Sequence, residues 1–292
     1  MKRIFLILFV YGLLPKVYAQ TRSVPPAPHP FLVYDNFFYK GRPDVDPVGM
    51  IQANIIYKGA IWPNKLDEES LPDSATFQAV VRAHSVNPGP IILDVEDLPL
   101  RGSKKTIKAH LKILLTLADW AHAAAPGKVI GYYGTNTLSR IDHNARPYAR
   151  QLAQHVDAFF PSLYTFSPDR KQWLARAIPL IKEDRALAHG KPLYCYLWPQ
   201  YHDGTPQQFV YIDASYWLFQ LQFSYRLCDG VVIWGPSKFP WQDSTGWWQT
   251  TQQFVQSLPH PTDPSQANEN GKAAIVLAPT PNNSRQQPSE IP

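Results

Sequence analysis

Two carboxylates spaced by one residue, Asp94 and Glu96, close an apolar run that opens at Pro90 and continues through Ile91, Ile92 and Leu93. On a buried strand, alternation sends both side chains to one face. Side by side and short of water, each disfavours ionisation of the other. Such a pair suits general acid–base chemistry, with one carboxyl kept protonated near neutral pH beside a charged partner. An acidic strand end running out into a loop has the same spacing, so the surrounding elements must decide.

Seven apolar runs read as buried strands: 31–35, 53–57, 90–94, 128–133, 157–164, 192–198 and 230–234. Helical patterns fill the later gaps. Ser103 caps a stripe of Ile107, Leu111, Leu114, Leu115 and Ala118, stopped by Pro126-Gly127. Further helices are expected over 167–189, 205–227 and 244–257. Seven βα-like units imply an α/β fold, a single parallel β/α (TIM-like) barrel over 31–258, with its site at the strand C-termini. An open doubly wound sheet is the alternative, but the chain has neither G-x-G-x-x-G nor a Walker loop.

The strand ends suit a sugar site. The third carries Asp94-Val95-Glu96, and the fourth Gly131-Tyr132-Tyr133-Gly134. The fifth ends Phe160-Pro161-Ser162-Leu163-Tyr164, and the sixth runs from Pro192 through Tyr194, Tyr196 and Trp198. The seventh ends Val231-Val232-Ile233-Trp234-Gly235. Ring faces stack on sugar C–H surfaces, although aromatic side chains fill cores as well.

In order and approximate spacing, this set resembles the hyaluronidase family of glycoside hydrolases over residues 90–235. The family's D-x-E is matched by Asp94 and Glu96, its Y-P-S-I-Y by Phe160–Tyr164, and its G-F-Y turn by Gly131–Tyr133. Its P-V-x-x-Y strand, with a following aromatic and Asp, is matched by Pro192–Tyr196, Tyr201 and Asp203, and its V-V-L-W-G by Val231–Gly235. Residues 50–63, with Tyr57 and Trp62-Pro63, align loosely.

The resemblance implies a distorted seven-stranded barrel that hydrolyses an N-acetylhexosaminide with retention, the substrate's acetamido oxygen acting as nucleophile. Glu96 would be the acid/base and Asp94 would orient the acetamido group. Tyr164 and Tyr196 would hydrogen-bond the sugar and Trp234 would wall the pocket, with Tyr57, Tyr133 and Tyr201 as further substrate contacts. The spacing agrees with this chemistry, because two carboxylates two residues apart cannot flank a sugar ring from both sides. The chain departs from the family at Val95, where tryptophan is usual, at Leu98–Arg101, which replaces an arginine and a tryptophan, and in lacking most of its cysteines. The basic run Arg101, Lys104 and Lys105 either meets an acidic polymer or is a solvated face, though lysines in a first helical turn oppose the helix dipole.

Other classes lack their residues. Ile92 stands where a chitinase-type D-x-D-x-E needs an acid, no G-x-S-x-G elbow exists, and no H-E-x-x-H occurs among nine histidines. No cofactor or metal is expected. A non-catalytic glycan-binding barrel and a muramidase-like glycosidase remain as alternatives.

Residues 1–19 read as a signal peptide: a basic start, an apolar stretch from Ile4 to Leu14 and Ala19 at the cut. The expectation is therefore a secreted or periplasmic monomer with no membrane span. Removing the leader would lower the net charge from +5 to +2, too nearly neutral to argue for nucleic acid. Cys195 and Cys228 could form one bridge in an exported chain, but no disulfide framework. A proline-rich lead-in occupies 20–30, and residues 259–292 read as a disordered tail.

Overall fold

The computed structural model describes residues 30–63, 70–134, 145–242 and 244–259. The expected leader, all of the lead-in but Pro30, and the tail beyond Pro259 lie outside them. The described residues fall within one compact unit, 27–263. Among the described residues its strands are β1 (Leu32–Phe37), β2 (Ile51–Gln52), β3 (Asn54–Tyr57), β4 (Ile91–Asp94), β5 (Ile130–Tyr132), β6 (Tyr194–Leu197) and β7 (Gly230–Gly235). They form two parallel sheets, ordered β2-β1-β7-β6 and β3-β4-β5.

β2 and β3 are one run interrupted at Ala53, whose N–H donates to the Asp35 carbonyl. The same run thus pairs with β1 on one side and β4 on the other. The segment expected to be a strand over 157–164 is instead extended chain making single bridges, Tyr133 to Phe160, Phe159 to Leu193 and Ser162 to Tyr196. Pro161 has no N–H to donate, so an unbroken ladder cannot form there.

Period-two alternation divides the strands between two hydrophobic clusters. Val33, Ile56, Ile91, Leu93, Phe159, Cys195, Leu197, Val231 and Ile233 belong to the cluster that includes the helical side chains. Their neighbours Tyr34, Ile55, Ile92, Phe160, Tyr194, Tyr196 and Val232 form a second cluster with no helical member. Glycines make room in that inner cluster. A Cβ on Gly131 would sit 2.5 Å from the Phe160 ring and from the Ala158 carbonyl.

The helices are α1 (Lys58–Ile61), α2 (Ser74–His84), α3 (Lys104–Ala124), α4 (Arg146–Gln154), α5 (Arg170–Ala188), α6 (Ala214–Leu227) and α7 (Trp247–Gln256). Ser103 caps α3 as its sequence requires, accepting from the Thr106 N–H at 3.1 Å. Asp73, Asp169 and Asp213 cap α2, α5 and α6 in the same way. α6 begins nine residues later than the helix expected from 205. Residues 203–209 turn instead, with Phe209 left-handed at φ 64°, and Asp213 opens the helix. Cys195 on β6 and Cys228 at the end of α6 form a disulfide. Among the described residues, no helix is long and apolar enough to cross a membrane.

Candidate active site

Asp94 is the last residue of β4, in register with Tyr57 at the end of β3. The strand stops there, so alternation positions only the first acid. Val95 is buried and Glu96 lies in the turn that follows, where the Leu98 N–H donates to the Val95 carbonyl at 3.1 Å. Burial of Val95 and Leu98 on either side pins this turn against the outer cluster.

The two acids still act on one another. Desolvation first, then the charges of Glu96 and Asp97, push the Asp94 carboxyl up to about 7. Glu96 is also raised, by desolvation and then by Asp97, with His202 opposing. Glu96 is exposed by surface area, so its lost hydration comes from nearby protein atoms and not from deep burial. Lys58 holds the neighbouring Asp97 at 2.6 Å.

Five of the six expected aromatic contacts gather around these acids. Trp234 on β7 donates its indole N–H to the Tyr57 hydroxyl at 3.0 Å. Tyr133 packs edge-on against Tyr196, with ring centroids 4.8 Å apart, and donates to Ser162 at 3.3 Å. Tyr164 lies 5.8 Å from Trp234 and 6.1 Å from Tyr133. Desolvation raises the Tyr57, Tyr133 and Tyr196 hydroxyls, and the charge of Asp94 raises all three further. They therefore stay protonated and able to donate beside that carboxylate.

Tyr201 is the exception. It is buried in the outer cluster, and its hydroxyl responds to Asp213 and Arg170. Its N–H and C=O pair with Val210 and Phe209, so backbone bonding holds it away from the inner ring set.

Three more residues stand at the site, Trp198 from an expected strand end and two that the sequence does not single out. Trp198 stands edge-on to Trp234 at 4.8 Å and touches Tyr164 at 5.6 Å. Asn36, buried in β1, accepts from the Tyr196 hydroxyl at 3.4 Å. His202 stacks on Phe166 and lies 5.8 Å from Tyr164. Its Nδ1 pairs with the Asp203 carboxylate at 2.6 Å. Asn36 lies one residue past the strand expected over 31–35, so nothing in the sequence marks it.

The carboxylates line neither of two other hollows. A cavity of about 640 Å³ lies among Gln200, Phe209, Tyr211, Phe239 and Gln242, and a groove of about 370 Å³ runs between α3 and α4. Among the described residues, no group of three His, Cys, Asp or Glu is placed to hold a metal ion.

No protein-family model matches the sequence, and no curated protein does either. Among solved structures, the fold is similar to that of bee venom hyaluronidase, with a TM-score of 0.53 and 15% identity over 77% of this chain and 96% of that one. The same enzyme in complex with a hyaluronic acid tetramer aligns with a TM-score of 0.51, at 15% identity, over 77% and 95%. These matches show an α/β fold with parallel sheets like that of the bee venom enzyme.

Proposed function

We propose that this protein is an exported glycoside hydrolase that cleaves N-acetylhexosaminidic bonds in a glycosaminoglycan-like polysaccharide, with retention. The observation that carries the reading is the Asp94–Glu96 pair, both carboxyls raised, at the mouth of a cluster walled by Tyr57, Tyr133, Tyr164, Tyr196 and Trp234. The fold shared with bee venom hyaluronidase supports it. In this reading β2–β3 and the bridged segment 157–165 join the two sheets into one distorted seven-stranded barrel.

In the reaction, the Glu96 carboxyl donates its proton to the glycosidic oxygen as the bond to the anomeric carbon breaks. The substrate's acetamido oxygen attacks that carbon, forming a cyclic oxazolinium-like intermediate. Asp94 accepts the acetamide N–H and offsets the positive charge that develops. Water then opens the ring, losing its proton to Glu96 and restoring the acid. Protonated Tyr164 and Tyr196 orient the sugar, and Trp234 gives its methyl group an apolar wall.

The test follows new reducing ends from hyaluronan, chondroitin and chitin oligosaccharides with the parent protein and its Glu96→Gln variant. The expected result is cleavage of at least one by the parent and a loss of about 10²–10⁴-fold in the variant. Binding without cleavage by the parent sinks the enzyme reading and leaves a glycan-binding barrel.

A further inference from the structure

We infer that the groove between α3 and α4 is a docking surface for a linear polyanion, a sulfated or uronate-bearing glycan chain, held outside the carboxylate cleft. From Leu98 to Ala118 the chain carries Arg101, Lys104, Lys105, Lys108 and Lys112 and no Asp or Glu, and the flanking acids Asp97 and Asp119 are held by Lys58 and His155. All five are exposed, and none makes an ion pair among the described residues. Two arginines of α5 differ in this respect: Arg170 lies near Asp213 and over Tyr216, and Arg185 bonds Asp229.

Lys104, Lys108 and Lys112 recur every fourth residue, so they share one stripe at intervals of about 6 Å along the helix. Lys108 and Lys112 line the groove of about 370 Å³ with Leu115 and Asp119 on its α3 side, the Asp119 carboxylate being taken up by His155 Nδ1 at 2.8 Å, and Tyr148 and Gln151 lie across it on α4. Like charges four apart repel one another, and Lys104 and Lys105 also face the positive end of the helix. An anionic chain along the stripe relieves both repulsions. The groove walls offer aliphatic surface and an amide, which suit the C–H faces and hydroxyls of sugars.

A membrane surface fits less well. No large apolar side chain is exposed on α3 or α4 to enter a bilayer. Single-stranded nucleic acid is disfavoured as well, since it needs exposed stacking rings and Tyr148 is half-buried.

The experiment measures binding of heparin oligosaccharides to the full chain across a salt series. The variants are Lys104→Gln/Lys108→Gln/Lys112→Gln, the single Lys108→Gln, and a control, Lys40→Gln/Lys171→Gln/Lys182→Gln. All the altered side chains are exposed, and circular dichroism checks that each variant folds. The parent and control are expected to bind alike. In the α3 triple variant the slope of log affinity against log salt should fall by about 2–3, with affinity down at least about 10-fold at 0.1 M salt. The single variant should lose about one unit of slope. Glu96→Gln should bind heparin like the parent, which separates this proposal from the catalytic reading. No binding by the parent, or equal binding by the α3 triple variant, overturns the proposal. So does tighter binding to phosphatidylserine vesicles or to single-stranded DNA than to heparin.

Discussion

Asp94 and Glu96 feel the same shortage of water but different neighbours. Burial and two acidic neighbours lift Asp94 to about 7, while His202 works against the rise at Glu96. Interacting acids lose their protons in steps that belong to the pair, so the state that matters is the one holding a single proton. The proposed reaction needs that state, because one carboxyl must donate while the other carries charge. Cleavage is therefore expected to fall as pH rises past the loss of the pair's last proton, which the two raised carboxyls place above the ordinary carboxylate range. Asp97 raises both acids, so Asp97→Asn removes a negative charge beside them. The change favours ionisation, and the alkaline limb should move to lower pH by less than about one unit. A pH series of kcat/KM for parent and variant checks this, and an unmoved limb would assign it to another group.

At the scale of elements, the inner cluster depends on small residues opposite large ones. Gly131 on β5 faces the Phe160 ring, which in turn packs 5.7 Å from Tyr194 and 6.5 Å from Tyr196. The glycine has ordinary backbone angles, so the requirement is space and not conformation. Gly131→Ala drives a methyl into a ring and a carbonyl that have no room to retreat. A cost of about 1–3 kcal/mol is expected, lowering Tm by about 2–4 °C for each kcal/mol. Displacement of Phe160 should also disturb Tyr196 and weaken substrate binding, so thermal unfolding and KM together check the prediction. A variant as stable as the parent would mean that the inner cluster is loosely filled. The Cys195–Cys228 link ties β6, which carries Tyr196, to the end of α6, and so braces the same wall from outside.

For the molecule as a whole, several carboxyls are raised by burial, and this makes stability depend on pH in one direction. Asp184 is fully buried on α5 without a hydrogen-bond partner among the described residues, and desolvation, then Glu183, push it up to about 8. Asp94 joins it at about 7. Between about pH 4, where these groups ionise in an unfolded chain, and about pH 8, the native state binds more protons. Stability should therefore fall as pH rises through that window. Asp73 and Asp213, whose carboxyls are lowered, act only below it. Asp184→Asn should flatten the trend, gaining about 1–3 kcal/mol at pH 8 and little at pH 4. Urea unfolding at the two pH values measures it, and an equal effect at both would show that Asp184 is not neutral in the native state. Several of these features were legible in the chain itself. Asp94 and Glu96 stand out because an apolar run ends in acids, and Ser103 predicts the start of α3 because a hydroxyl there meets a free N–H. The strands repeat with period two, which sorts Tyr196 from Cys195 before any packing is known. Packing decided the rest. Tyr201 and Tyr196 look alike in sequence, yet backbone pairing with Phe209 and Val210 takes Tyr201 into the outer layer. Trp198 shares the alternating face of Tyr196, but Asn36 and His202 reach the site from other segments, and no local pattern encodes which strands become neighbours. Local periodicity sets which face each side chain takes, whereas contacts such as Trp234 to Tyr57, 177 residues apart, exist only once the chain has closed on itself.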